Sequence, residues 1–326
     1  MTTSRLSTAL STGALALPKG RVAVFGPPPG TDLSALPREG LTLVSQDAVA
    51  SAGWQAAGYD VTRAPEGAFA AALVVLPRAR EAQKALIAQA ATLAPLLIVD
   101  GQKHDGVDAT LKAMKARAPI AGSLSKAHGK LFWTDGASFA DWVARDRDVG
   151  GFVTRPGVFS ADGPDKGSLA LAEILPPLRG CIADIGAGWG FLARHILASD
   201  AVEALHLVET DAVALDCARV NVTDPRALFH WADATSWRPP GPLDAVVSNP
   251  PFHVGRAGDP GLGRAFIAAA ARMLGPSGSF WMVANRHLPY EVELDTAFAE
   301  VAEAGGTGGF KVIHARKPRH IRPRRP

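Results

Sequence analysis

Cysteine is scarce in this chain. Cys181 and Cys217 are the only two in 326 residues, 36 positions apart and outside any CxxC pattern. That spacing supports neither a disulfide framework nor a zinc ribbon, so no metal is expected and both read as small buried apolar residues. No apolar run nears the ~20 residues that span a bilayer. The opening segment, with one early arginine and a weakly apolar stretch broken by Ser, Thr and Gly, makes a poor signal peptide. The expectation is a cytoplasmic chain without a membrane partner. Missing too is the GxGxxG spacing that opens many dinucleotide sites.

The bulk is ordinary globular protein, 47% apolar and 20% charged, with a length that suits two domains. Charge is unevenly spread. Residues 1–150 carry 16 basic and 13 acidic side chains, residues 151–310 carry 11 and 18, and residues 311–326 carry 7 and none. A basic tail beside an acidic domain fits contact with a polyanion, or else a solvated terminus.

Both halves read as α/β. Short apolar runs at Arg21–Phe25, Leu41–Val44, Ala71–Leu76 and Leu96–Val99, with helical spacing over Glu81–Leu93, predict parallel βαβ units in residues 1–149. The loop after the first run is Gly26-Pro27-Pro28-Pro29-Gly30. Proline has no N–H to donate, so this loop is a poor cradle for phosphate or nucleotide. This half is expected to be a nucleotide-binding fold without its nucleotide. Residues 150–326 repeat the pattern. Strands are expected at Cys181–Asp184, Ala204–Glu209, Ala227–Trp231, Asp244–Ser248 and Ser279–Val283, with helices over Ala212–Val220 and Arg264–Leu274. In such a doubly wound sheet the ligand sits at the carboxyl ends of the strands.

Those ends carry the chemistry. After the first strand of the second half comes Asp184-Ile185-Gly186-Ala187-Gly188-Trp189-Gly190. Glycines allow a tight turn and close approach of backbone to ligand. An acid ahead of them suits a ligand with a positive charge and repels pyrophosphate. Glu209 ends the second strand, where it can accept from ribose hydroxyls; Asp233 follows the third, where it can accept from an adenine amine. Together these describe an adenosine site with a small charged tail, the shape of S-adenosylmethionine. After the fourth strand stand Asn249-Pro250-Pro251-Phe252-His253. An exocyclic base amine has its lone pair delocalised, and two acceptors on its hydrogens draw the nitrogen toward tetrahedral geometry. The Asn249 side-chain oxygen and the Pro250 carbonyl suit that work, since proline presets where its carbonyl points. Phe252 offers a face for the base, worth ~1–3 kcal/mol where single strands stack on aromatics.

Asn-Pro-Pro-Phe-His after Ile-Gly-Ala-Gly-Trp-Gly resembles the ribosomal RNA small-subunit methyltransferase C family, whose members methylate the 2-amino group of a guanine. The resemblance extends to Pro156–Ser160, Asp165–Ser168, Val283–Asn285 with Leu288–Tyr290, Gly309–Val312, and Asp100–Lys103 with Gly106-Val107. It implies tandem Rossmann-like methyltransferase folds, the first one degenerate. It also implies cofactor contacts at Asp165, Gly167, Asp184, Gly186, Gly188, Gly190, Glu209 and Asp233. Target contacts are implied at Asn249, Pro250, Pro251 and Phe252, further substrate contacts at His253 and Asn285, and ribosomal RNA or a ribosomal subunit as partner. His287 and the Arg/Pro tail after Lys317 match nothing in the family pattern, and a large-subunit paralogue group shares the NPPFH logic. Three other readings compete. A protein glutamine methyltransferase also places Asn-Pro-Pro before an aromatic. An RNA-binding or ribosome-assembly factor would retain the pocket as a relic. A dehydrogenase would need a different glycine spacing.

Overall fold

The computed structural model of the chain describes residues 4–251, 253, 254, 257, 258 and 260–319. It divides into two compact units, Met1–Asp146 and Arg147–Pro326. The first opens with α1 (Arg5–Ser11), β1 (Val22–Phe25), β2 (Leu41–Val44), α2 (Ala48–Ala56) and β3 (Asp60–Thr62). It continues through β4 (Ala71–Val75), α3 (Arg80–Leu93), β5 (Leu96–Gln102), α4 (Val107–Lys115), β6 (Gly122–Lys126) and β7 (Gly129–Asp135).

The second unit begins with a small hairpin of β8 (Arg147–Asp148) and β9 (Val153–Thr154), then α5 (Lys166–Ile174). Next come β10 (Gly180–Ile185), α6 (Phe191–Ile196), β11 (Val202–Glu209), α7 (Ala212–Asn221), β12 (Ala227–Trp231) and β13 (Leu243–Ser248). The short pair β14 (His253–Val254) and β15 (Ala257–Gly258) precedes α8 (Pro260–Met273), β16 (Leu274–Asn285), α9 (Glu291–Ala297), β17 (Phe298–Gly306) and β18 (Phe310–Pro318).

Each unit holds one seven-stranded sheet, and the two sheets have the same order: β3-β2-β1-β4-β5-β7-β6 and β12-β11-β10-β13-β16-β18-β17. Six strands of each run in one direction, and only β7 and β18 are reversed, each antiparallel to both its neighbours. These are the expected tandem Rossmann-like sheets, extended by antiparallel edges that apolar runs alone did not reveal. Because strand side chains alternate between faces, each sheet builds an apolar layer on both sides. Ala23 and Phe25 enter one layer of the first unit, Val22 and Val24 the other. Ala183 and Ile185 divide from Ile182 in the same way in the second. That double burial explains why the parallel strands read as continuous apolar runs.

Aspartate caps start several helices. Asp47, Asp165 and Asp211 accept from backbone N–H groups at the starts of α2, α5 and α7. The loops after β1 and β10 begin alike: Gly26 donates its N–H to the Val44 carbonyl and Gly186 to that of Val208, both at 2.8 Å. Beyond that first turn the two loops diverge in chemistry. Among the described residues, no helix is long and apolar enough to cross a membrane.

Candidate active site

The site gathers at the carboxyl ends of β10, β11 and β13, where the strand order reverses. Asp184 is the penultimate residue of β10 and is fully buried. Both its carboxylate oxygens are buried without a hydrogen-bond partner. Burial, and then the charge of Glu209, push its carboxyl up to about 8. An uncompensated buried acid is costly to ionise unless a cation comes close. Gly186 and Gly188 follow with φ of +74° and +55°, a region that favours glycine. Their loop is tied down by Glu209, which ends β11. One Glu209 oxygen accepts from the Gly188 N–H at 2.8 Å, the other from that of Asp211 at 2.9 Å. Gly190 begins α6 with φ of +88°, and a Cβ there would stand 2.9 Å from Val222, so its smallness serves helix packing.

Asp233, two residues past β12, accepts from the N–H and hydroxyl of Thr235 and so caps its own turn. Nearby, the Trp231 indole donates to the Thr210 carbonyl at 2.7 Å and ties the end of β12 to that of β11.

The turn after β13 meets the glycine loop. Ser248, buried at the strand's end, donates its hydroxyl to the Ile185 carbonyl at 2.8 Å. A Cβ on Gly186 would stand 4.0 Å from the Asn249 carbonyl oxygen. The Asn249 amide nitrogen donates to Asp165 Oδ2 at 3.0 Å and to Ser168 Oγ at 2.9 Å. That leaves the side-chain oxygen as the accepting end. Pro250 is buried and Pro251 exposed. Phe252 lies outside the described residues, as does the side chain of His253, whose backbone forms β14.

One cleft is lined by Asn249, Asp165, Ser168, Gly186, Gly188 and Phe159, among others. Phe159 is 65% exposed, and its carbonyl accepts from the Trp189 indole at 3.0 Å. The Pro156–Ser160 segment therefore does lie against the glycine loop. Gly167 sits in the first turn of α5 against the ring of Phe310. Asn285 ends β16 opposite Phe310 in the β18 ladder. The structure thus brings Asp165, Asp184, the glycine loop, Glu209 and Asn249 together. It spends Gly190 on packing and leaves Asn285 outside the residues that line the cleft. Ser168 and Trp189 belong to the site's framework, although sequence reading gave them no role. The Asp-x-x-Ser spacing was a helix-cap signal for the first; nothing local marked the second.

Among the described residues, no group of three His, Cys, Asp or Glu side chains is placed to hold a metal. The residues do fit a cationic nucleoside such as S-adenosylmethionine. The orphaned carboxyl of Asp184 awaits a positive charge, and the loop glycines let a ligand approach the backbone.

Comparison with known proteins points the same way. Residues 150–314 match the methyltransferase small domain family. A ribosomal RNA small subunit methyltransferase C of Pseudomonas paraeruginosa is 31% identical over 275 residues, 79% of this chain and 82% of that protein. One from Idiomarina loihiensis is 29% identical over 311 residues, 88% of this chain and 91% of its own. A solved T. thermophilus 16S rRNA guanine-N2 methyltransferase, in complex with AdoMet and guanosine, shares the fold. Its TM-score is 0.76 at 22% identity, over 93% of this chain and 90% of that one.

Proposed function

The chain belongs to the ribosomal RNA small subunit methyltransferase C family, and from that membership we propose that it methylates the 2-amino group of a guanine in 16S ribosomal RNA, using S-adenosylmethionine. The observation that carries this reading is Asn249: its amide oxygen is left as an acceptor beside the glycine loop, at the end of a strand adjoining Asp184.

When bound, the cofactor supplies a methyl group on a positively charged sulfur, already a good leaving group. The chain's own residues do the rest. The Asp184 carboxylate attracts the ammonium of the methionine portion. Glu209 accepts from ribose hydroxyls with the lone pairs not spent on Gly188 and Asp211, and Asp233 from the adenine amine. Asn249 Oδ1 and the Pro250 carbonyl each accept one hydrogen of the guanine amine and hold its lone pair on the line of transfer. In this reading Phe252 supplies a face for the guanine ring and His253 contacts RNA. The surplus proton on the methylated amine leaves to water, so no strong base is needed. The target base leaves its stack to enter, or is met in unpaired RNA.

The test is methyl incorporation from labelled cofactor into small-subunit rRNA, followed by nucleotide mapping. N2-methylguanosine in 16S rRNA supports the proposal. Label in release factor, or in neither substrate, overturns it.

The basic tail contributes to RNA affinity in this reading. Lys317 pairs with Glu300 at 2.5 Å, and Arg319 donates to the Phe298 carbonyl at 3.0 Å. Removing the chain from Lys317 would therefore damage the sheet edge, and the informative truncation is residues 320–326. That segment carries Arg322, Arg324 and Arg325. Losing up to three phosphate contacts should flatten the slope of log affinity against log salt by about 2. An unchanged slope would remove the tail from RNA binding.

A further inference from the structure

Asn249 works only if its amide faces one way. The oxygen end accepts a hydrogen from the target amine, whereas the nitrogen end would set donor against donor. The two ends have nearly the same shape, so their neighbours must choose between them. Here they do. The nitrogen lies 3.0 Å from Asp165 Oδ2 and 2.9 Å from Ser168 Oγ. A carboxylate only accepts, so the NH2 end alone can face Asp165.

Asp165 is itself fixed. The same Oδ2 accepts from the Gly167 N–H at 2.8 Å and the Ser168 N–H at 3.3 Å, as the cap of α5. A Cβ on Gly167 would stand 2.8 Å from that oxygen and 3.2 Å from the Phe310 ring, so glycine there lets the carboxylate sit where it does. Ser168 is buried, and Asp165 and Asn249 are half-buried. With water partly excluded, hydrogen bonds in series polarise one another.

We propose that Asp165 and Ser168 are positioning residues for methyl transfer. Together they hold the Asn249 amide oxygen-outward, and the charge of Asp165, pulling on the amide hydrogens, makes Oδ1 a stronger acceptor. This rests on the role given to Asn249 above. It moves Asp165 from the cofactor contact expected from sequence to a support of the target side, and gives Ser168 a part in turnover. Neither residue touches the guanine; both act through Asn249.

The test uses the full chain with small-subunit rRNA, reading kcat and KM, with S-adenosylhomocysteine affinity measured by calorimetry. Ser168→Ala removes one acceptor. Asp165→Asn keeps an oxygen for the helix cap and removes the charge. The expected result is a fall in kcat of roughly tenfold for Ser168→Ala and more for Asp165→Asn, with KM and S-adenosylhomocysteine affinity within about twofold of wild type. In an Asn249→Ala background, Ser168→Ala should cost nothing further. A merely structural role would lower kcat and cofactor affinity together, or cost the same in both backgrounds, and either result overturns the proposal. So does an unchanged kcat in both single variants. An active wild type with unaffected variants removes the lock and leaves the function standing; a wild type that never methylates guanine removes both.

Discussion

Asp184 is a buried carboxyl held where it has no protein partner, and its pH dependence follows. Its pKa rises from 3.8 to about 8 on folding, through burial first and Glu209 second. The folded chain therefore keeps a proton between pH 4 and pH 8 that the unfolded chain has lost. This group's contribution to stability is fully present below pH 4, falls as pH rises, and levels off above pH 8. Asp184→Asn should raise the melting temperature at pH 7–8, by a stability of the order of a few kcal/mol, with the gain shrinking toward pH 4. The same substitution should weaken cofactor binding. For the wild type, S-adenosylhomocysteine should bind more tightly from pH 6 to pH 8, as the ammonium favours the charged acid, and the variant should lose that slope. Equal slopes in the two proteins would separate Asp184 from the ligand's charge. The position of Asp184 was legible in sequence, since an acid ahead of glycines after an apolar run is a strand-end signal. Its isolation was not, because burial and the lack of partners depend on what the other strands bring.

Elements differ in how plainly the sequence announces them. Central strands such as Leu41–Val44 and Ala71–Val75 are buried on both faces and read as apolar runs. The edges hide. β6 is GSLSK and β17 is FAEVAEAGG, half-exposed segments whose place depends on pairing with β7 and β18 rather than on their own composition. The link from Asp165, the cap of α5, to Asn249, just past β13, spans 84 residues, and no local periodicity encodes such a pair. Another cross-element pair escaped for the same reason. His206 on β11 and His230 on β12 share a hydrogen bond of 2.9 Å, with Trp237 packed against both rings. Burial lowers both pKa values, and for His206 the neighbouring His230 lowers it further. A histidine with a depressed folded pKa stabilises above the unfolded value of 6.5, and that stability is lost as pH falls below it. The protein should therefore lose stability through this pair as pH falls below 6.5. His230→Gln, which keeps a hydrogen-bonding end without titrating, should flatten that fall in urea midpoints. An equal fall in the variant would assign it to other groups.

Across the whole molecule, the repeated strand order lets each site position be matched to its counterpart in the first unit by register. Val24 pairs with Leu43 and Leu73 as Asp184 pairs with Leu207 and Val247. Val24 thus stands where Asp184 does. The residue after β2, Ser45, matches Glu209, and Val75-Leu76-Pro77 matches Asn249-Pro250-Pro251. Pro28 takes the place of Gly188, whose N–H Glu209 holds. Sequence already showed the proline loop as a poor cradle; the missing acids became visible only once the registers could be compared. The first unit also places a guanidinium at its strand ends. Arg5 of α1 is buried against Asp100 of β5 at 2.6 Å and donates to the Lys126 carbonyl at 3.0 Å. With no carboxylate at the positions of Asp184 and Glu209, no amide at that of Asn249, and a guanidinium seated on Asp100, the first unit lacks the register equivalents of the groups assigned to the cofactor and the target. Calorimetry with S-adenosylhomocysteine should therefore saturate at one ligand per chain. Asp184→Asn should weaken that single event, with no second, weaker one appearing at high ligand concentration. Two binding events in the wild type would mean that register equivalence does not carry ligand chemistry with it, and would return the first unit to the set of cofactor sites.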